Sequence, residues 1–311
     1  MPELLFHSAI DAAGPWREKL ARMAPDIRLR VWPDDVDDPA AIDCALVWNP
    51  PPGLLASLPN LRLIQSLGAG VDGLLSDPRL PDHVPVARLV DGLLTQCMTE
   101  YVALHVLYHH RLMPMFARQQ AAGIWREEIA PPAQERSVGL MGLGELGTAA
   151  AKGLVGLGFR VLGWSRSPHA IDGVAGFHGP DGLAAMLPQC AILVCLLPLT
   201  PETEDILDRR LFDRLPRGAA LINCARGRHL VEADLLAALD DGRLSGASLD
   251  VFRQEPLPAG HPFWTRGDLV ITPHMASMAN PDSAASLLVE NIRRVWAGRE
   301  PRYRVDPRRG Y

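Results

Sequence analysis

Residues 137–164 read SVGLMGLGELGTAAAKGLVGLGFRVLGW. An apolar run (Val138, Leu140, Met141) enters a glycine-rich turn. There Gly142, Gly144 and Gly147 fit G-x-G-x-x-G, with Glu145 and Leu146 between the last two glycines. A helix-compatible segment follows, and a second apolar run, Phe159–Trp164, closes a unit of about 30 residues, the length of a βαβ dinucleotide site. The first glycine allows the tight turn, the second lets backbone approach a pyrophosphate, and the third lets helix and sheet pack closely. The helix N-terminus then offers free N–H groups and a positive dipole end to phosphates. A dinucleotide-binding βαβ unit is expected here.

The chain around this unit is long enough for two domains, at 311 residues. Its 31 basic and 36 acidic side chains leave a net charge of −5, which argues against a nucleic-acid partner. Five cysteines (Cys44, Cys97, Cys190, Cys195, Cys224) form no C-x-x-C and read as free thiols in a reducing compartment. No apolar run reaches the ~18–20 residues of a membrane span, and no basic signal-peptide start is present. The expectation is a cytoplasmic protein without a membrane segment. His105, His109 and His110 stand at near-helical spacing, but core or surface roles fit them better than metal ligation, and no metal is expected.

Before the βαβ unit, short apolar runs alternate with helix-like stretches. Strands are expected at 4–7, 27–31, 45–48, 61–66 and 84–89, with helices at 15–23 and 53–58. From Thr99 to about Met113 a helix is expected to cross into the second domain, with Pro114 kinking or breaking it. After Trp164, strands are expected at 191–196, 219–224, 246–251 and 269–272. A helix is expected over 232–241, and a last one over 281–296 has its apolar residues at helical period. Alternation of this kind implies α/β lobes with parallel sheets. Two series joined by long helices imply two doubly wound lobes with a ligand cleft between them.

The second strand of the unit ends in Trp164-Ser165-Arg166-Ser167. An NAD site usually places an acidic residue here, about 20 residues on, to bind the ribose 2′-OH. This chain has none. Arg166 can pair with a 2′-phosphate in a bidentate manner, where a carboxylate would repel it. NADP(H) is therefore expected, with NADH as a weaker possibility.

Three further strands end in polar groups: NCARG (223–227) in Arg226, LDVFRQEP (249–256) in Glu255, and TPHMAS (272–277) in His274. All belong to the nucleotide-binding series, so their ends converge on one rim. Reduction of a 2-oxo acid needs such a set. An Arg holds the carboxylate and polarises the carbonyl, and a His gives a proton to the developing alkoxide. A Glu orients that His and favours its charged form.

These motifs, in this order and over essentially the whole chain, resemble the D-2-hydroxyacid dehydrogenase family. Within it the chain looks most like the glyoxylate/hydroxypyruvate reductase A group. That likeness rests on Val47-Trp48-Asn49-Pro50-Pro51, Leu67-Gly68-Ala69-Gly70-Val71-Asp72, Met98-Thr99-Glu100-Tyr101, WSRS at 164–167 and the ending Arg309-Gly310-Tyr311. The resemblance implies a flavodoxin-like substrate domain (1–98 with 279–311) and a Rossmann NADP-binding domain (99–278). It implies catalysis by Arg226, Glu255 and His274. Coenzyme contacts are implied for Ser165, Arg166, Ser167, Leu197, Pro198, Cys224 and Asp250 besides the glycine turn. The substrate would meet Trp48, Gly68, Ala69, Gly70, Arg226 and His274. The likeness also implies a homodimer, with Trp125 packing across it. Pro168 and His169 stand where such relatives often have a second basic residue, and Asn49 stands where a His is expected. The implied reaction is NADPH-dependent reduction of glyoxylate to glycolate and hydroxypyruvate to D-glycerate. The alternatives are another 2-oxo acid or a dinucleotide-sensing binding protein on the same fold.

Overall fold

Residues 2–310 are described in a computed structural model; Met1 and Tyr311, the last residue of the RGY ending, lie outside the described residues. In the first part of the chain the apolar runs become short parallel strands, the central ones buried on both faces and one edge strand only in part. The elements in order are β1 (Glu3–His7), helix α1 (Ala13–Met23), β2 (Arg28–Val31), β3 (Cys44–Val47), β4 (Leu63–Ser66), helix α2 (Asp72–Leu75) and β5 (Val86–Ala87). β3 and β4 are buried at every position. All pairs are parallel, in the order β2-β1-β3-β4-β5. This is the flavodoxin-like strand order.

A helix expected at 53–58 is absent. Only a single 3-10 turn forms at Leu55–Ser57, because Pro59 forces Leu58 into extended backbone and Gly53 takes φ +83°. The crossing helix is instead longer than expected. α3 (Gly92–His110) starts at Asp91, whose carboxylate accepts the N–H groups of Leu93 (2.7 Å) and Leu94 (3.2 Å). It stops where Leu112 turns left-handed (φ +59°). Pro114 sits in the first turn of a new helix, α4 (Met113–Ala121), where its missing N–H costs nothing.

The second series runs β6 (Ser137–Met141), α5 (Glu145–Gly156), β7 (Arg160–Ser165), β8 (Val174–His178), α6 (Gly179–Met186) and β9 (Ile192–Cys195). It continues through α7 (Arg209–Phe212), β10 (Ala219–Asn223), α8 (Glu232–Asp240), β11 (Leu244–Leu249) and β12 (Leu269–Ile271). Its parallel sheet has the order β12-β11-β10-β9-β6-β7-β8. Counted from β6, this is the Rossmann order 3-2-1-4-5-6 with one further strand. β8 was not expected. It is a half-exposed edge strand with two small residues, Ala175 and Gly176, so its apolar signal is weak.

The last helix, α9 (Pro281–Trp296), is capped by Asn280, whose side chain accepts the Asp282 N–H at 2.8 Å. It belongs with the first sheet. Asn291, fully buried, donates to Gln65 on β4 at 2.9 Å and binds the Arg302 backbone. The tail then bridges β5, with Ala87 paired to Arg304. The chain divides into two compact units, up to Leu94 with Met278 onward, and Thr95–Ser277. Among the described residues no helix is long and apolar enough to cross a membrane, and no group of three or more His, Cys, Asp or Glu side chains could hold a metal ion.

Candidate active site

Parallel strands end on a common edge, so the loops after β6, β9, β10, β11 and β12 lie along one rim. The strand order reverses between β6 and β9, the place where α/β sheets bind ligands. The glycine turn sits there. Gly142 has φ +102°, and a Cβ on it would lie 2.7 Å from the Leu196 carbonyl oxygen. At Gly147 a Cβ would lie 2.0 Å from the Gly142 carbonyl oxygen, so α5 can approach the turn only without a side chain. Gly144 differs. Its φ is −71°, and nothing lies within 4 Å of an added Cβ. No contact within the protein requires glycine there, whereas close approach of a pyrophosphate to the backbone does. Glu145 and Leu146 open α5 behind it.

Ser165 ends β7, and its hydroxyl donates to the Ser167 carbonyl at 2.7 Å, folding Ser165-Arg166-Ser167 into a tight turn. Arg166 is exposed beside it. After β9, Leu197 is buried. The Pro198 carbonyl accepts the Thr203 hydroxyl at 2.7 Å, and that hydroxyl also accepts the Thr200 N–H at 2.8 Å. Thr203, which no sequence motif marks, fixes this turn. Cys224 is buried at the end of β10; burial pushes its thiol well above the ordinary range, so it contributes shape and not charge.

Arg226 follows two residues later, half-buried, with Nη1 donating to the Ala225 carbonyl at 2.6 Å. Its turn is folded by Asn223, fully buried. The Asn223 amide donates to the Arg226 carbonyl at 3.0 Å and accepts the Ala225 N–H at 3.2 Å. Gly227 packs against the next loop so closely that a Cβ would lie 1.9 Å from the Phe252 carbonyl carbon. That next loop carries Glu255. One of its oxygens accepts the Phe252 N–H at 2.9 Å, and the other lies 2.8 Å from His274 Nδ1. Burial works against the Glu255 charge. The hydrogen bonds from His274 and Phe252, with the charges of His274 and Arg226, outweigh it and hold the carboxyl below its ordinary value. An ionised Glu255 only accepts, so His274 Nδ1 carries the hydrogen and Nε2 is left for proton transfer.

His274 stands at φ +56°, a region side chains with a Cβ rarely adopt. The buried Asp250 holds it there. Its carbonyl accepts the His274 N–H at 2.8 Å, and its carboxylate accepts the Thr272 hydroxyl and the Met275 and Ala276 N–H groups. Asp250 is thus turned to the loop backbone. In the other unit Trp48 lies over Gly68, where a Cβ would meet its ring at 2.2 Å. The Ser66 hydroxyl accepts the Gly68 N–H and reaches the Gly70 carbonyl, shaping the turn that carries Ala69.

A sequence profile described as D-isomer specific 2-hydroxyacid dehydrogenase, NAD binding domain, matches residues 103–276. The chain belongs to this family. As a D-2-hydroxyacid dehydrogenase it is 41% identical to glyoxylate/hydroxypyruvate reductase A of Yersinia enterocolitica, over 99% of each chain. It is 42% identical, again over 99% of each, to the protein of that name from Serratia proteamaculans. A solved D-isomer specific 2-hydroxyacid dehydrogenase from Xanthobacter autotrophicus, in complex with NADPH and MES, superposes with a TM-score of 0.95 at 46% identity, covering 100% of this chain and 99% of that one. An NADPH-dependent glyoxylate/hydroxypyruvate reductase from Sinorhizobium meliloti, in complex with NADP and sulfate, gives 0.93 at 36% identity over the whole of both chains. The two-sheet α/β architecture is thus that of the dehydrogenase family.

Proposed function

We propose that this dehydrogenase reduces small 2-oxo acids with NADPH, glyoxylate to glycolate and hydroxypyruvate to D-glycerate. The observation that carries the reading is the Glu255–His274 pair at 2.8 Å beside Arg226, on the rim that also holds the glycine turn. The full-length identity to glyoxylate/hydroxypyruvate reductases supports the substrate class.

The residues present fit the coenzyme. Gly144 leaves open space at a helix N-terminus, and in the turn folded by Ser165 the residues Arg166 and Ser167 offer a cation and a hydroxyl to a 2′-phosphate. With no carboxylate at this turn, NADPH is favoured and NADH is used more weakly. Leu197, Pro198 and Cys224 are assigned to the coenzyme's nicotinamide end, whereas Asp250, expected there as well, spends both carboxylate oxygens on the Thr272–Ala276 loop. When bound, NADPH supplies the hydride for the carbonyl carbon. Arg226 holds the substrate carboxylate and polarises its carbonyl. His274 Nε2 delivers the proton that turns the carbonyl oxygen into a hydroxyl, and Glu255 keeps the ring oriented and balances its charge. The N–H groups of the Gly68-Ala69-Gly70 turn receive the carboxylate, and Trp48 restricts the size of the 2-substituent.

The same reading includes a homodimer. Leu104, Met113, Ile124, Trp125 (95% exposed) and Ile129 (92%) form an unusual run of exposed apolar residues. Five free cysteines suit a cytoplasmic enzyme. The test is NADPH oxidation by the purified protein over a panel of 2-oxo acids, with light scattering for the dimer. Turnover of glyoxylate or hydroxypyruvate is expected. Tight NADPH binding with no turnover of any 2-oxo acid would point to the sensing module instead.

A further inference from the structure

Below the His274 loop lies a polar chain that the reaction above does not use. Tyr101, on α3, is buried, and its hydroxyl is 2.8 Å from Thr272 Oγ1. Thr272 Oγ1 in turn is 2.5 Å from Asp250 Oδ1. The direction of these bonds follows from chemistry. A carboxylate only accepts, so Thr272 donates its one hydrogen to Asp250. Thr272 Oγ1 can then only accept from Tyr101. Burial raises the Tyr101 phenol, so it keeps its proton and remains the donor. His105 packs on the phenol ring at 4.2 Å, and His109 binds Ser248 on β11 at 3.0 Å, which fixes α3 against the sheet at this point.

The end of the chain is the backbone that carries His274. Asp250 Oδ1 accepts Met275 N–H at 2.8 Å, Oδ2 accepts Ala276 N–H at 2.9 Å, and its carbonyl accepts His274 N–H at 2.8 Å. Met275 is exposed, so burial of its side chain does little to hold this loop. The left-handed turn at His274 is therefore held by Asp250, through its carbonyl at His274 and its carboxylate at the next two residues, and the carboxylate's side-chain contact is Thr272.

We propose that Tyr101 is a positioning residue for His274, acting through the Thr272 hydroxyl and the Asp250 carboxylate. The proposal rests on the reading of His274 as the proton donor. Tyr101 touches neither substrate nor coenzyme in this account. It orients Thr272 so that Asp250 holds the loop, and the loop sets where the imidazole points.

The test compares the unmodified protein with Tyr101→Phe, Thr272→Val, Thr272→Ser and the Tyr101→Phe/Thr272→Val pair. NADPH-linked glyoxylate reduction, NADPH affinity by fluorescence, melting temperature and amide hydrogen exchange over 272–277 are measured on each. Tyr101→Phe is expected to lower kcat about tenfold while the NADPH Kd stays within about threefold, with exchange at Met275 and Ala276 faster by about tenfold. Thr272→Ser, which keeps the hydroxyl, is expected to restore near-normal values. Adding Tyr101→Phe to Thr272→Val is expected to cost nothing more, because the relay is already cut. A folded Tyr101→Phe protein with unchanged kcat and unchanged exchange overturns the proposal, as does full additivity in the pair. If the unmodified protein reduces no 2-oxo acid, the functional reading fails, and the exchange data alone decide whether Tyr101 holds the loop.

Discussion

Gly227 decides where Arg226 stands. A Cβ there would overlap the backbone of Phe252, which cannot retreat without moving Glu255, three residues on. Gly227→Ala is therefore expected to cost catalysis even in protein that still folds and still binds NADPH, by about a hundredfold or more in kcat/KM. Arg226→Ala removes a charge-stabilising donor and is expected to cost a similar factor, roughly 3 kcal/mol or more. Arg226→Lys keeps the charge and loses the planar fork, so it should recover only part of that loss. Steady-state kinetics with glyoxylate check all three. Arg166→Ala is expected to act on a different quantity. It should weaken NADPH binding about ten- to hundredfold and leave NADH binding nearly unchanged, read by coenzyme titration, since one charge-assisted pair is worth ~1.5–3 kcal/mol.

Helix α3 is placed by close packing as much as by its own sequence. Gly153 on α5 lies so near it that an added Cβ would be 2.9 Å from the Thr99 methyl. Two effects compete in Gly153→Ala. Helix propensity favours Ala by ~1 kcal/mol, and overpacking costs ~1–3 kcal/mol because the branched Thr99 side chain is stiff. Net destabilisation is expected, together with lower kcat if α3 carries Tyr101 away from Thr272. Combining it with Thr99→Ala removes the clash and should raise the melting temperature above that of Gly153→Ala alone. The start of α3 lies earlier than its apolar stripe suggests because Gly92, a weak helix former, opens it and only the Asp91 cap marks the boundary. Its end was legible in Pro114, although the break lies at Leu112 and the proline begins the next helix.

Over the whole molecule, buried histidines couple stability to pH. Burial lowers His109 from 6.5 to about 4, and lowers His105 as well, with the nearby Asp250 charge opposing the shift at His105. The unfolded chain therefore takes up a proton at His109 below pH 6.5 while the folded chain does not. Stability is full above that pH and falls as pH drops toward 4, by roughly 3 kcal/mol at most for His109. Scanning calorimetry from pH 7 to 4 should show the melting temperature falling through this window. His109→Gln should flatten the slope. Ligand linkage acts in the opposite direction. NADPH at a hundred times its Kd is expected to add about 2.7 kcal/mol, and NADH at equal concentration distinctly less.

Strand positions, the glycine turn and the Arg, Glu and His motifs were legible in the amino-acid order because each is a local matter. Apolar runs bounded by turn residues form buried strands wherever the sheet places them, and Gly142 needs its positive φ whatever surrounds it. The helix expected at 53–58 does not form because Pro59 restricts the residue before it, Leu58, to extended backbone. Other features were not local. Gly227, packed on Phe252, and the Tyr101–Thr272–Asp250 chain join segments far apart in sequence, and nothing in their immediate neighbours marks those partners. The edge strand β8 exists because β7 offers it a hydrogen-bonding edge. Short-range sterics and periodicity can be read from the order of residues, whereas hydrogen bonds and close approaches between distant segments arise only when the folded chain brings their atoms within about 3 Å.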